Sequence, residues 1–218
     1  MNEDQIILVD KPAGISSFGV VARVRAYLRR KYEHKVKVGH TGTLDPFATG
    51  LLILLAGKMT KRSGEFLKQD KVYEAEMRLG ATSTTGDPEG EITFCSDRQP
   101  SQAEVADAIA GFVGEISQTV PRYSAVKING VRAYKLARAE KDFTPPTRTV
   151  TIYAVDLVEY NYPKVVIRVH CSSGTYVRTL GEDIGRALGT GAYLTSLRRI
   201  SIGEYNVNDA QRLEEFAE

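Results

Sequence analysis

The alternation of apolar and polar positions predicts most of the elements of this chain. Gln5 to Val9 forms a short apolar run, closed by Lys11-Pro12-Ala13-Gly14. This reads as a buried strand and a turn, because Pro fixes one φ and Gly supplies another. Ser16 or Ser17 can cap a helix that reaches about Lys31, with Phe18, Val21, Val24 and Leu28 on one face. Lys35 to Val38 predicts a short strand, Leu51 to Ala56 a strand buried on both faces, and Lys58 to Lys68 a basic helix. Val72 to Leu79 alternates with period two, which sets Tyr73 and Ala75 on the face opposite Val72 and Glu74.

Thr82 to Gly90 is a polar turn cluster, and Glu91 to Cys95 a further strand. Ser101 and Glu104 have capping-box spacing ahead of a helix carrying Val105, Ile109 and Phe112. Asn129-Gly130 marks a turn before a basic helical stretch, Val131 to Ala139. Thr149 to Tyr160 and Lys164 to Cys171 predict an antiparallel pair across Asn161-Tyr162-Pro163. Val177, Leu180, Ile184 and Leu188 form one face of a helix stopped by Gly189. Leu197 to Tyr205 returns as a strand, and Asn208-Asp209-Ala210 opens a last helix. Strands arrive in clusters and helices singly, which favours an α+β fold over a regular βαβ array.

A content of 42% apolar and 26% charged residues excludes a disordered chain, a collagen-like repeat and a disulfide scaffold. Cys95 and Cys171, 76 positions apart, are expected to be core thiols in a reducing compartment rather than zinc ligands. The start, MNEDQIILVDKP, is acidic and polar and is no signal peptide, and the apolar run Leu51 to Ala56 is too short to span a bilayer. These features predict a soluble, cytoplasmic protein. Between Gln118 and Arg148, seven basic residues stand against Glu140 and Asp142, a local +5 in a chain of net +2. Such a segment suits a polyanion, since each neutralised phosphate releases counterions, although a solvated helix face would carry the same charge.

Gly39 to Gly50, GHTGTLDPFATG, holds three glycines and a proline in twelve residues, the composition of a tightly turned loop. Asp45 lies between Leu44 and Pro46, and Pro46 biases it to extended backbone, so its carboxylate is aimed rather than free to cap a helix. An Asp-Pro turn is the structural alternative. Two phosphate motifs fail here. Gly57-Lys58 is followed by Met59 where a P-loop needs Ser or Thr, and Thr41-Gly42-Thr43 lacks the preceding aspartate of phospho-aspartate enzymes. His34, His40 and His170 have no ligand-spaced neighbours, so no metal site is expected.

The run GHTGTLDPFATGLLILLAGKMTK resembles the catalytic motif of the TruB family of pseudouridine synthases. DKPAGISS, KVYEAEMRLGATSTTGDPEG, QTVPRYSAVKINGVRAYKLAR and CSSGTYVRTLGEDIGRALGTGAYLTSLRRISIGEY resemble further TruB segments in TruB order. Val120 departs from the family's usual second proline, and only local loop stiffness depends on it. The resemblance implies a single pseudouridine-synthase catalytic domain of the α+β class. In it a mixed, mostly antiparallel sheet is flanked by helices, with a central RNA-binding cleft. The implied reaction breaks the N1–C1′ bond of a uridine at position 55 of the tRNA T loop and rejoins the base through C5. It implies no cofactor and no metal, and a monomer acting on the T stem-loop.

By the same resemblance Asp45 is the essential aspartate, as nucleophile or as stabiliser of the detached base. Tyr73 offers an aromatic face to the flipped uracil, His40 fills the space that the base vacates, and Arg178 holds Asp45 ionised. Tyr176 and Leu197 contact the base. Each has a plainer reading: sheet tyrosine for Tyr73, turn histidine for His40, surface arginine for Arg178, core packing for Leu197. The segment Gln118 to Arg148 matches a thumb-like insertion that closes over the RNA, with Arg122, Lys127, Arg132, Lys135 and Arg138 as phosphate contacts. The family usually continues into a small RNA-binding domain, often of the PUA type, which is expected to be absent from this chain. A binding module that has lost catalysis, and the guide-directed relatives that modify ribosomal RNA, are the competing readings. The presence of Asp45, Tyr73 and Arg178 argues against the first, and the Thr82 to Gly90 stretch and the expected absence of the C-terminal domain against the second.

Overall fold

Pro12 and Gly14 turn the chain out of strand β1 (Ile6–Lys11) and into helix α1 (Ser17–Tyr32), as their conformational limits require. Ser16 caps that helix by accepting from the Gly19 amide, and Arg29, Arg30 and Lys31 meet its negative C-terminal end. In the computed structural model, which describes residues 3–217, β2 (Val38–His40), β3 (Thr49–Ala56), a 3-10 turn (Gly57–Arg62), α2 (Ser63–Leu67) and β4 (Lys71–Leu79) follow. Next come β5 (Ala81–Ser83), β6 (Ile92–Phe94), α3 (Gln102–Ala110), β7 (Gly114–Thr119), β8 (Lys127–Ile128), β9 (Val131–Arg132) and α4 (Ala133–Arg138). The chain ends with β10 (Thr147–Asn161), β11 (Lys164–Cys171), α5 (Val177–Ala187), β12 (Ala192–Ile202), β13 (Tyr205–Asn206) and β14 (Gln211–Arg212). Among the described residues no helix is long and apolar enough to cross a membrane.

The chain packs as two compact units. One holds the residues up to Tyr73 and those from Leu197 onward, and the other holds Glu74–Ser196. In the first unit β3 is central. It pairs antiparallel with β1, Ile6 opposite Leu55, and antiparallel with β2, Val38 opposite Ala56. At its start it pairs parallel with β12, Arg199 opposite Gly50. Leu52 and Leu54 face α1 with Val20, Val21, Val24 and Leu28, while Leu51, Ile53 and Leu55 pack with Phe66, Ile202 and Val207. Two apolar faces explain why β3 reads as an unbroken hydrophobic run. In the second unit β12, β4, β11, β10 and β7 lie in that order. The Ser101/Glu104 capping box starts α3, and Asn129-Gly130, both at positive φ, joins β8 to β9.

Several boundaries move. Phe18 is exposed rather than on the buried face of α1, because Ser17, Val20, Val21, Val24 and Leu28 already fill that face. The strand expected at Lys35 begins at Val38, where β3 offers a partner. Strand β12 begins at Ala192, before Leu197, and Val131–Arg132 pair with β8 before α4 starts. The last helix is replaced by 3-10 turns, since Gln211 and Arg212 pair with β1. Cys95 is exposed beside β6 instead of in the core, whereas Cys171 is buried. Strand β7, too polar to stand out as a sequence, exists because β10 pairs with it.

Gly50 sits at φ +101°, and a Cβ there would come within 2.3 Å of the Arg199 carbonyl oxygen. Gly50→Ala is expected to cost at least about 2 kcal/mol from strain and overpacking. Gly39→Ala, which meets nothing within 4 Å, should cost far less. Paired urea melts of the two variants check this, and equal midpoints would contradict it.

Candidate active site

The loop from Thr41 to Ala48 has little regular structure, so its peptide groups must find partners elsewhere. At the start, the Thr41 amide donates to the Ile53 carbonyl at 3.0 Å. The guanidinium of Arg199 is buried and donates to the carbonyls of Leu51 (2.8 Å), Gly42 (3.2 Å) and Thr43 (3.4 Å). The Ser17 hydroxyl donates to the Leu44 carbonyl at 2.9 Å and accepts from the Leu44 amide at 2.8 Å. The Pro46 carbonyl accepts from the Gly14 amide (2.8 Å) and from the buried ammonium of Lys11 (3.1 Å). Lys11 donates as well to the carbonyls of Pro12 and Ile15.

The backbone is therefore fixed on both sides of Asp45, which is half-buried, and its own carbonyl accepts from Ala48 at 3.2 Å. That arrangement presents a carboxylate in a set direction, as a reacting group requires. His40 lies two residues before Gly42, and its Nδ1 accepts from the Gly42 amide at 3.4 Å. Tyr73, on β4, and Leu197, on β12, are both buried.

The second unit holds Tyr176 and Arg178 at the start of α5. Arg178 is buried, not a surface arginine: it donates to Asp87 Oδ2 at 3.1 Å, the Thr85 carbonyl at 2.8 Å and the Tyr123 carbonyl at 2.9 Å. Asp87 is also buried, and its Oδ1 accepts from the Thr85 hydroxyl (2.6 Å) and the Glu89 amide (3.0 Å). Buried Gln118 accepts from the Tyr176 amide at 3.0 Å and donates to the Tyr176 carbonyl at 3.2 Å. Arg148 lies over the Tyr176 ring, 5.3 Å from its centroid. A cleft of about 340 Å³ is walled in part by Arg122, Tyr123, Arg178 and Glu182.

Arg122, Lys127, Arg132, Lys135 and Arg138 are all exposed. Arg122 stacks on Phe143 at 4.8 Å, and Lys127 pairs directly with Arg132 across the β8–β9 hairpin. Like charges placed opposite one another destabilise a hairpin in isolation, and a polyanion would relieve them. Asp87, Gln118, Lys11 and Arg199 were not singled out from sequence. The Asp-Pro of the turn cluster and the paired arginines of LRRIS are the only local marks of two of them.

The mixed sheet with few helices is the fold of pseudouridine synthases, as solved structures show. A solved chain of a Cbf5-Nop10-Gar1 complex matches 97% of this chain and 53% of its own length, with TM-score 0.72 and 28% identity. The archaeal box H/ACA sRNP Nop10-Cbf5 complex matches with TM-score 0.70 and 26% identity, over 99% of this chain and 53% of that one. The model of the TruB family pseudouridylate synthase N-terminal domain matches residues 29–177, and that of the tRNA pseudouridylate synthase B C-terminal domain matches residues 178–218.

Tertiary likeness and sequence agree, and the chain belongs to the TruB family of tRNA pseudouridine synthases. It is 50% identical over 211 residues to a protein of Burkholderia mallei (strain NCTC 10247) named tRNA pseudouridine synthase B, covering 97% of this chain and 68% of that one. The protein of the same name from Cupriavidus pinatubonensis is 46% identical over 214 residues, covering 97% and 66%. The chain thus spans about two thirds of these relatives and about half of the Cbf5 chain.

Two measurements test the second unit. Asp87→Asn leaves the Arg178 cation buried without its counter-charge and should cost about 3–5 kcal/mol in a urea melt. A loss under about 1 kcal/mol would mean that the carbonyls alone hold the guanidinium. Burial pushes the Glu182 carboxyl above the ordinary carboxylate range, against a smaller opposing pull from Arg178. The folded chain then keeps this proton where the unfolded chain has lost it, so stability should fall as pH rises through that window. Glu182→Gln should flatten this acid-to-neutral decline in melting temperature, and an unchanged slope would assign the decline to other groups.

Proposed function

We propose that this chain isomerises uridine 55 in the T loop of tRNA to pseudouridine, with Asp45 as the nucleophile. The observation that carries this reading is the fixation of Asp45 through Leu44 and Pro46, in a chain 50% identical to proteins named tRNA pseudouridine synthase B. Identity to the Cbf5 chain is 28%, against 50% to the protein named tRNA pseudouridine synthase B, which favours the tRNA enzyme.

On this reading the target uridine leaves its stack at a cost of a few kcal/mol and is held out of the loop for reaction. His40 props the space left behind, and Tyr73 supplies the stacking face. Tyr176 and Leu197 contact the base. Asp45 supplies the electron pair that holds the substrate in an adduct while the N1–C1′ bond breaks, and that bond to Asp45 is cleaved again, its pair returning to the carboxylate, before product leaves. The uracil then turns, and the C5–C1′ bond forms. C5 gives up its proton, N1 gains one, and no electrons are exchanged with any other group. Arg178 offsets the negative charge of the reacting carboxylate, and Asp87 keeps the guanidinium aimed. Arg122, Lys127, Arg132, Lys135 and Arg138 bind phosphates of the T stem-loop, which orients the RNA without reading its sequence.

Incubation with unmodified tRNA, followed by carbodiimide-stop mapping, should give one new pseudouridine at position 55. No stop, or stops elsewhere, would refute this assignment. Asp45→Asn keeps the shape of the side chain but cannot form the adduct. It should abolish single-turnover product while leaving tRNA affinity nearly unaltered, and a rate above a few per cent of wild type would remove Asp45 from this role.

A further inference from the structure

Helix α1 and the segment after it carry charge that the reaction does not use. From Ser17 to Lys37 lie Arg23, Arg25, Arg29, Arg30, Lys31, Lys35 and Lys37 against the single acid Glu33, a local +6. With Gln118–Arg148 at +5 and the whole chain at +2, everything outside the two segments sums to −9. Positive charge is gathered in two places on an acidic body, and 118–148 is not the only basic stretch. Arg23, Arg29, Arg30, Lys31, Lys35 and Lys37 are exposed. Among the described residues none of these six makes an ion pair with a carboxylate. A solvated helix usually interleaves Glu with Lys or Arg at i, i+4, and α1 contains no acid at all. That pattern calls for a polyanion.

The same face presents an aromatic ring. Phe18 is 65% exposed, and the Arg25 guanidinium lies 5.8 Å from its centroid. Helical spacing sets Phe18, Arg25 and Arg29 on one stripe. An exposed ring among arginines suits a nucleic acid strand, in which bases stack and phosphates pair with cations. The stripe begins at the clamped loop. Ser17, which holds Leu44, directly precedes Phe18, and Arg25 donates to the Val38 carbonyl at 3.1 Å, two residues before His40.

We propose that the exposed face of α1 is a second RNA-binding surface, taking phosphates of the strand that leads away from the target uridine. It rests on the reading that this chain acts on tRNA. The test is equilibrium binding of unmodified full-length tRNA over a salt series, with the combined variant Arg23→Gln, Arg29→Gln and Arg30→Gln. Glutamine keeps length and helix propensity while removing charge.

Affinity should fall at least about tenfold near 0.1 M salt, and the log–log slope should become shallower by up to roughly 0.7–0.9 per lost phosphate contact. Single-turnover rate at saturating tRNA should stay at the wild-type value. Wild-type affinity and slope in this variant, alongside weakened binding by Arg132→Ala, Lys135→Ala and Arg138→Ala, would overturn the proposal and leave α1 a solvated face. A wild-type chain that neither binds nor modifies tRNA would instead overturn the reading of the site, and this surface with it.

Discussion

Irregular backbone can be buried only where its carbonyls are paired, and among the described residues four buried cations do that pairing. Lys11 serves Pro12, Ile15 and Pro46, and Lys71 serves Leu67 and Gln69. Arg178 serves Thr85 and Tyr123, and Arg199 serves Gly42, Thr43 and Leu51. Carbonyl oxygens are good partners for a desolvated ammonium or guanidinium, and each cation can hold several at once. Apart from Leu51 in β3 and Leu67 at the end of α2, these carbonyls lie outside the regular helices and strands, which would have consumed them. Loops leave them open, so the buried cations stand where the chain is least regular.

The loop that carries Asp45 shows the consequence. Its aspartate is not set by a helix or a strand of its own but by hydrogen bonds that land on the residues to either side. Two come from the end of β1 and the turn after it, through Lys11 and Gly14, and two from the first residue of α1, through the Ser17 hydroxyl. Arg199 adds the third support from β12. Two segments distant in sequence, Lys11 to Ser17 and Arg199 on β12, must meet the loop before the carboxylate has a direction, and site geometry is thereby tied to the stability of the first unit.

In the second unit the same device carries a charge balance. Arg178 would be costly to bury with carbonyls alone, and Asp87 supplies the counter-charge while being satisfied in turn by Thr85 and Glu89. Gln118 and Tyr123, at the root of the basic segment, bind the backbone of Tyr176 and the guanidinium of Arg178. The root of the proposed RNA-contacting segment and the start of α5 are thus joined by hydrogen bonds.

Local chemistry was enough to place much of this fold before any tertiary contact was known. Ser16 as the cap of α1, the Ser101/Glu104 box, the Asn129-Gly130 hairpin and the doubly apolar β3 all follow from forces acting over a few residues. The TruB pattern of the glycine loop around Asp45 was legible too, and the family match agrees with it. What tertiary structure alone decided is which polar groups go inside. Lys11, Arg178 and Arg199 look like solvent-facing cations in sequence, because their partners stand 35, 91 and 157 positions away. Phe18 looks like core and is exposed, because Val20 and Val21 occupy the face it would have shared. Strand β7 and the first half of β12 have little periodicity of their own and take their form from the strands they pair with. Periodicity records where water is for a single element, whereas a buried charge depends on oxygens that other elements deliver.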